Sequence, residues 1–183
     1  VMEVVYELTE FNPVGVNDKK TQIILTDTKR GVKNYIQSLR YRYNRKNPYI
    51  PNYVISKTGE VYKIMEPNMY SRFLDNETLD KKSIVISLEN FGCLKKNPLE
   101  DTYVNWIGDI YNKPDEVFEK RWRSYRYWSP YTQAQFDSAI ELVRSLCDEF
   151  YIPLNAIGHN TKIDTLSDYH GVIYRSNFDK HYT

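Results

Sequence analysis

The chain has 183 residues, with 25 Lys plus Arg against 24 Asp plus Glu and a formal net charge of +1, which argues against a dominant polyanion-binding surface. With 41% hydrophobic and 27% charged residues it can bury a core and lacks the low-hydrophobicity, high-charge signature of a disordered chain. No apolar run is long enough to span a bilayer and the N-terminus lacks the charged-then-apolar pattern of a signal peptide, so a soluble protein is expected.

In chain order, the turn-like stretch over residues 11–20 precedes Gln22, Ile23, Ile24 and Leu25, a short apolar run of the kind found in a strand buried on both faces. Val32, Tyr35, Ile36, Leu39 and Tyr43 then recur at helical spacing among Lys29, Arg30, Lys33, Arg40 and Arg42, which predicts an amphipathic helix with a basic outer face, ended by Pro48 and Pro51. Residues 52–56 and 60–64 flank Lys57-Thr58-Gly59, a turn sequence between two β-rich runs, and read as a hairpin. Residues 83–88 read as a second buried strand, broken after Asn90 by Gly92. Residues 95–130 show no clear period. From about Thr132 to Phe150 a helix is expected, with Thr132 and Gln135 as a capping box and Phe136, Ala139, Ile140, Val143, Leu146, Cys147 and Phe150 as its apolar stripe. After Pro153, residues 155–158 read as a last short strand that delivers His159. Cys93 and Cys147 lie far apart outside any CxxC spacing, which points to two buried thiols and against a disulfide framework or zinc knuckle. Strands interleaved with helices predict a single α/β domain over residues 1–183, a central mixed β-sheet flanked by helices, with its chemistry at strand ends.

Four local sequences in this order resemble the zinc-dependent N-acetylmuramoyl-L-alanine amidases of the phage-lysozyme and peptidoglycan-recognition-protein type. They are residues 22–28 (the opening strand), 51–62 (the hairpin), 83–90 (the central strand), and 131–135 with the long helix leading to Ile157, Gly158, His159 and Asn160. The resemblance implies a groove for the peptide stem of peptidoglycan and a zinc ion held by two histidines and a third Cys or Asp, with an open position for the attacking water. His159 matches the second histidine. The first should end the opening strand, where Thr26 stands, and a neutral hydroxyl is a poor zinc ligand beside imidazole. Asp27 is adjacent, but strand alternation points it to the opposite face. The motif that supplies the third ligand does not occur between His159 and Thr183; Asp164, Asp168 and His170 are the nearby substitutes, with Asp168 as the candidate retained, and the ligand could lie past Thr183. Ser87 takes the place where many relatives carry a glutamate, while peptidoglycan recognition proteins also have serine there, and Glu89 follows on the same strand face as a candidate acid/base. The hairpin positions that hold tyrosine and histidine in some relatives are Pro51 and Asn52. The equal spacing of His159, His170 and His181 has no ligand logic outside a regular helix.

The site is therefore read as degenerate. The aromatic-rich insertion at about 95–131 holds all three tryptophans; Trp106, Trp122, Tyr125 and Trp128 are candidates for a binding surface, since such side chains stack on sugars and dominate interfaces. A satellite hydrophobic cluster accounts for them equally well. Basic residues among the aromatics also fit single-stranded nucleic acid, but no recognised motif accompanies them and no nucleic-acid partner is expected. Three functions compete: an impaired amidase-like module without a cofactor that binds peptidoglycan stem peptide or a protein, in a phage particle or bacterial envelope; an active zinc amidase with a rearranged site; and an assembly protein docking through the insertion.

Overall fold

The computed structural model describes residues 6–46 and 49–179. Its elements are β1 (Tyr6–Glu7), β2 (Gly15–Val16), β3 (Gln22–Asp27), α1 (Val32–Asn44), β4 (Tyr53–Ile55), β5 (Val61–Lys63), β6 (Met69–Tyr70), α2 (Glu77–Lys82), β7 (Ser83–Leu88), β8 (Cys93–Asn97), β9 (Thr102–Val104), β10 (Phe118–Trp122), β11 (Tyr125–Trp128), α3 (Gln133–Phe150) and β12 (Gly171–Tyr174). The main sheet is six-stranded in the order β1-β5-β4-β7-β3-β12. Strands β4, β7, β3 and β12 run parallel, whereas β5 runs antiparallel to β4 and β1 parallel to β5. Ile55, Leu88, Asp27 and Tyr174 therefore end together on one edge of the sheet, where side chains of an open α/β fold converge on a ligand.

Every residue of β3 and β7 is buried, because both faces of the sheet are covered. On one face Ile23, Leu25, Ile84 and Ile86 pack with Leu142, Leu146 and Cys147 of α3. On the other, Val54 packs with Tyr35 and Leu39 of α1, and Ile24, Val85 and Ile173 pack with Phe73 and Leu166. The alternation of β3 thus divides Ile23 and Leu25 from Ile24 and Thr26. The fold is α/β, as the order of elements implies.

The structure departs from the sequence reading in four places. The turn-like stretch before β3 contains β2, which pairs antiparallel with β6. The aperiodic region from residue 95 builds a second, four-stranded antiparallel sheet in the order β10-β11-β8-β9. Its strands carry polar and aromatic residues toward solvent on both faces, so no period-2 pattern marks them. The α3 capping box forms as expected, but the buried stripe is rotated: Gln135 and Leu142 face the core, while Phe136 and Ile140 are exposed. Finally, residues 155–158 make only one bridge, Ala156 to Val172, and the strand beside β3 is β12, whose short Gly-Val-Ile-Tyr run the sequence reading passed over. Cys147 is buried and Cys93 half-buried, both as free thiols. Pro48, assigned to the end of the first helix, and His181 lie outside the described residues. Among the described residues no helix is long and apolar enough to cross a membrane.

Candidate functional site

Thr26 ends the core of β3 and pairs across the sheet with Ser87 of β7. Both side chains point to the α1 face, where the Ser87 hydroxyl lies 3.2 Å from the Tyr35 hydroxyl. Ser87 and Tyr35 are buried, and the Thr26 Oγ1 is buried with no hydrogen-bond partner among the described residues. Burial pushes the Tyr35 phenol up, against the opposing pull of its Ser87 hydrogen bond and of the Arg42 and Arg175 charges, so it stays neutral at physiological pH. The expected position of the first metal ligand is thus a cluster of three neutral hydroxyls.

Strand β12 pairs Tyr174 with Leu25 and then leaves the sheet, so Arg175 emerges at the level of Thr26. Its guanidinium lies 5.3 Å from the Phe73 ring centre and 3.3 Å from Asp179. Asp27, buried at the strand end, is 3.2 Å from the Lys29 ammonium. The sequence reading gives Tyr35, Lys29 and Arg42 only as parts of the first-helix pattern and Asp27 only as a neighbour of Thr26, and it passes over Arg175; the apolar run just before Arg175 was the one signal that could have placed it at a strand end.

His159 sits on an exposed loop beyond the Ala156 bridge. The buried Asn177 donates to the Gly158 carbonyl at 3.1 Å and the Thr161 carbonyl at 2.7 Å, and the Trp122 indole N–H donates to the Asn160 side chain. The Trp122 ring lies 5.0 Å from the His159 ring and 5.8 Å from Trp128. Arg123, in the positive-φ turn between β10 and β11, donates to the Ser176 carbonyl at 2.7 Å. These contacts fold the β10–β11 hairpin over the sheet edge. The result is a cavity of about 490 Å³ that brings Thr26 and His159 together with Trp122, Trp128 and Phe136. A second cavity, of about 410 Å³, takes in Asp27 and Arg175 with Trp106 and Tyr125. The four aromatic candidates are thereby divided between two cavities.

Ser87 opens into neither cavity, being packed under Tyr35. Glu89 lies just past β7, with one carboxylate oxygen accepting from the Val32 amide at 2.9 Å and the other from the Lys57 amide at 2.7 Å. It ties the start of α1 to the hairpin. Asp168 is exposed in a 3-10 turn over Leu166–Asp168, and His170 is exposed nearby; neither lines the cavities.

Zinc of the expected kind needs two imidazoles and an anionic donor at about 2 Å. Among the described residues no three His, Cys, Asp or Glu side chains converge. His159 shares its cavity with Thr26 where a second imidazole is needed, the neighbouring carboxylate Asp27 is paired with Lys29, and Arg175 adds a permanent positive charge that opposes a dication. The described residues, as placed, do not supply that ligand set.

A profile of the N-acetylmuramoyl-L-alanine amidase family matches residues 17–170. The N-acetylmuramoyl-L-alanine amidase LysC from Clostridium intestinale URNW shares the fold at a TM-score of 0.53 and 11% identity, over 96% of this chain and 84% of its own. The endolysine N-acetylmuramoyl-L-alanine amidase LysCS from the same organism gives a TM-score of 0.53 at 11% identity, over 96% and 82%. No curated protein matches the chain in sequence. With a family profile spanning most of its length, this chain belongs to the N-acetylmuramoyl-L-alanine amidase family.

Proposed function

We propose that this protein uses the amidase fold to bind peptidoglycan fragments without hydrolysing them through zinc. The observation that carries the reading is the buried Thr26, Ser87 and Tyr35 hydroxyl cluster, with Arg175 emerging beside it, where a metal-binding edge would need imidazole and carboxylate. The stem-peptide end of peptidoglycan is the ligand class that the family membership supplies. The cavity between β3 and the β10–β11 hairpin suits it: tryptophan faces offer stacking for a sugar ring, and Asn90, Ser129 and His159 add polar groups.

Three measurements test this, the first on protein not exposed to chelators. Metal analysis by mass spectrometry is expected to find zinc far below one per chain, and incubation of purified cell walls with added zinc to release no free stem peptide. A muramyl peptide should nevertheless bind saturably, with affinity lowered about tenfold by Trp122→Ala, the loss expected for one stacked ring and its ordering of the His159 loop. Stoichiometric zinc, together with peptide release abolished by His159→Ala, would overturn the reading in favour of an active amidase. The turning of Trp122 and Trp128 into a cavity with His159 favours a small ligand over a flat protein interface for those two residues.

A further inference from the structure

The second cavity lies on the α1 side of the same sheet edge and has a different chemistry. Lys29 and Arg30 reach it from the loop after β3, Arg42 from the last turn of α1, and Arg175 from the turn after β12. Asp27 is the only carboxylate among its lining residues. In a chain whose charges otherwise balance almost one for one, four cations gathered around one concavity are a local departure. The low-dielectric walls of such a concavity focus the positive potential.

The surrounding rings orient these cations. The Arg30 guanidinium lies 4.9 Å from the Trp106 ring centre and Arg175 lies 5.3 Å from that of Phe73. A guanidinium held against a ring face has less freedom to swing away, and its N–H fork matches a carboxylate or phosphate. Lys29 is held against Asp27, and Arg175 against Asp179. Arg42 is half-buried and has no carboxylate partner among the described residues. The cavity, at about 410 Å³, exceeds what a bare oxyanion fills, and Tyr49 and Tyr125 supply further aromatic wall.

We propose that this cavity binds an oxyanion, carboxylate or phosphate, carried on a sugar-sized ring, with Arg42 and Arg175 facing the anion and the ring lying against the aromatic wall. Asp27 and Asp179 offset two of the four cations, and a bound oxyanion offsets the excess of positive charge that remains. The site adjoins the tryptophan cavity, with which it shares Asp27 and Arg175, and is set apart from it by Arg30, Arg42 and Trp106, which line this cavity alone.

Calorimetric titration of the intact protein with glucose 6-phosphate and with glucuronate, using glucose as the neutral control, tests it. At least one charged sugar should bind saturably at millimolar concentration or below while glucose does not, and the stronger of the two identifies the oxyanion. Arg42→Ala should weaken that binding about tenfold, as expected for a charge-assisted hydrogen bond, and Arg42→Lys should recover part of it. Lys81→Ala, which removes a positive charge from an exposed ion pair on α2, should leave it unchanged. Far-UV circular dichroism verifies the fold of each variant, and Arg30→Ala replaces Arg42→Ala if the latter loses its helix signal. Equal binding of glucose, no binding by either charged sugar, or an unchanged affinity in a folded Arg42→Ala would overturn the proposal. Arg42 and Arg30 line this cavity alone, so failure here is distinguishable from failure of the zinc or muramyl-peptide measurements.

Discussion

Glu89 shows why a carboxylate at a strand end is not by itself an acid/base. Helix α1 begins after Gly31, which has no side chain to cap it, and one Glu89 oxygen takes over by accepting from the Val32 amide while the other accepts from Lys57. The charge also faces the positive end of the helix dipole. Its backbone is held too, the amide donating to Ile55 and the carbonyl accepting from Gln135. Glu89→Ala removes two charge-assisted bonds at a half-buried junction and is expected to lower unfolding free energy by about 2–4 kcal/mol, read as a lowered urea midpoint with unchanged slope. Glu89→Gln, which keeps an acceptor, should cost less. Nothing in the local sequence distinguishes this clamp from a catalytic glutamate, because its partners lie 57 and 32 residues away.

At the scale of elements, α3 was the most legible part of the chain. The Thr132 hydroxyl accepts from the Gln135 amide at 3.1 Å and donates to the Lys57 carbonyl at 2.6 Å, and the Gln135 side-chain oxygen accepts from the Thr132 amide at 3.0 Å. Thr132→Ala should therefore cost about 1–2 kcal/mol, measured as a shift of the thermal midpoint, with the loss at the upper end if the bond to the hairpin matters. What periodicity misjudged was the width of the buried face: Phe136 turns toward the tryptophan cavity and the Tyr131 ring, 5.8 Å away, and Ile140 toward solvent. Strands of three to five residues with charged faces, such as β8 to β11, have too little burial to write a pattern. Pairing with distant neighbours makes them a sheet.

At the scale of the molecule, the packing beneath the main sheet buries two charges whose titration it distorts. Asp80 is pushed up from 3.8 to about 6, mainly by burial and against the amides of Leu74 and Asn76 that hydrogen-bond it. Lys20, also buried, is lowered from 10.5 to about 8 by burial, against the attraction of Asp80. Between pH 4 and 6 the folded state holds a proton on Asp80 that the unfolded chain has released, so this group lowers stability as pH rises through that window. Between pH 8 and 10.5 the unfolded chain holds the extra proton on Lys20, and stability rises with pH. Compared with Asp80→Asn, the wild type should lose urea midpoint from pH 4 to 6, and compared with Lys20→Met it should gain from pH 8 to 10.5. Parallel profiles in either comparison would show that the buried pair does not titrate as its burial requires.

The sequence by itself determined the strands β3 and β7, the hairpin of β4 and β5, helices α1 and α3, and the family. These are local signals, written in apolar runs, capping residues and turn chemistry within a few positions of one another. Only the tertiary structure decided which strand flanks β3, and with it that Arg175 emerges beside Thr26. It also decided that His159 meets Trp122 and Trp128 in one cavity and that four cations share another. The reason is physical: strand order and side-chain convergence depend on parallel pairing between segments distant in sequence, 61 residues apart for β3 with β7 and 149 for β3 with β12. Such pairing is selected by packing of whole faces, which no local pattern encodes.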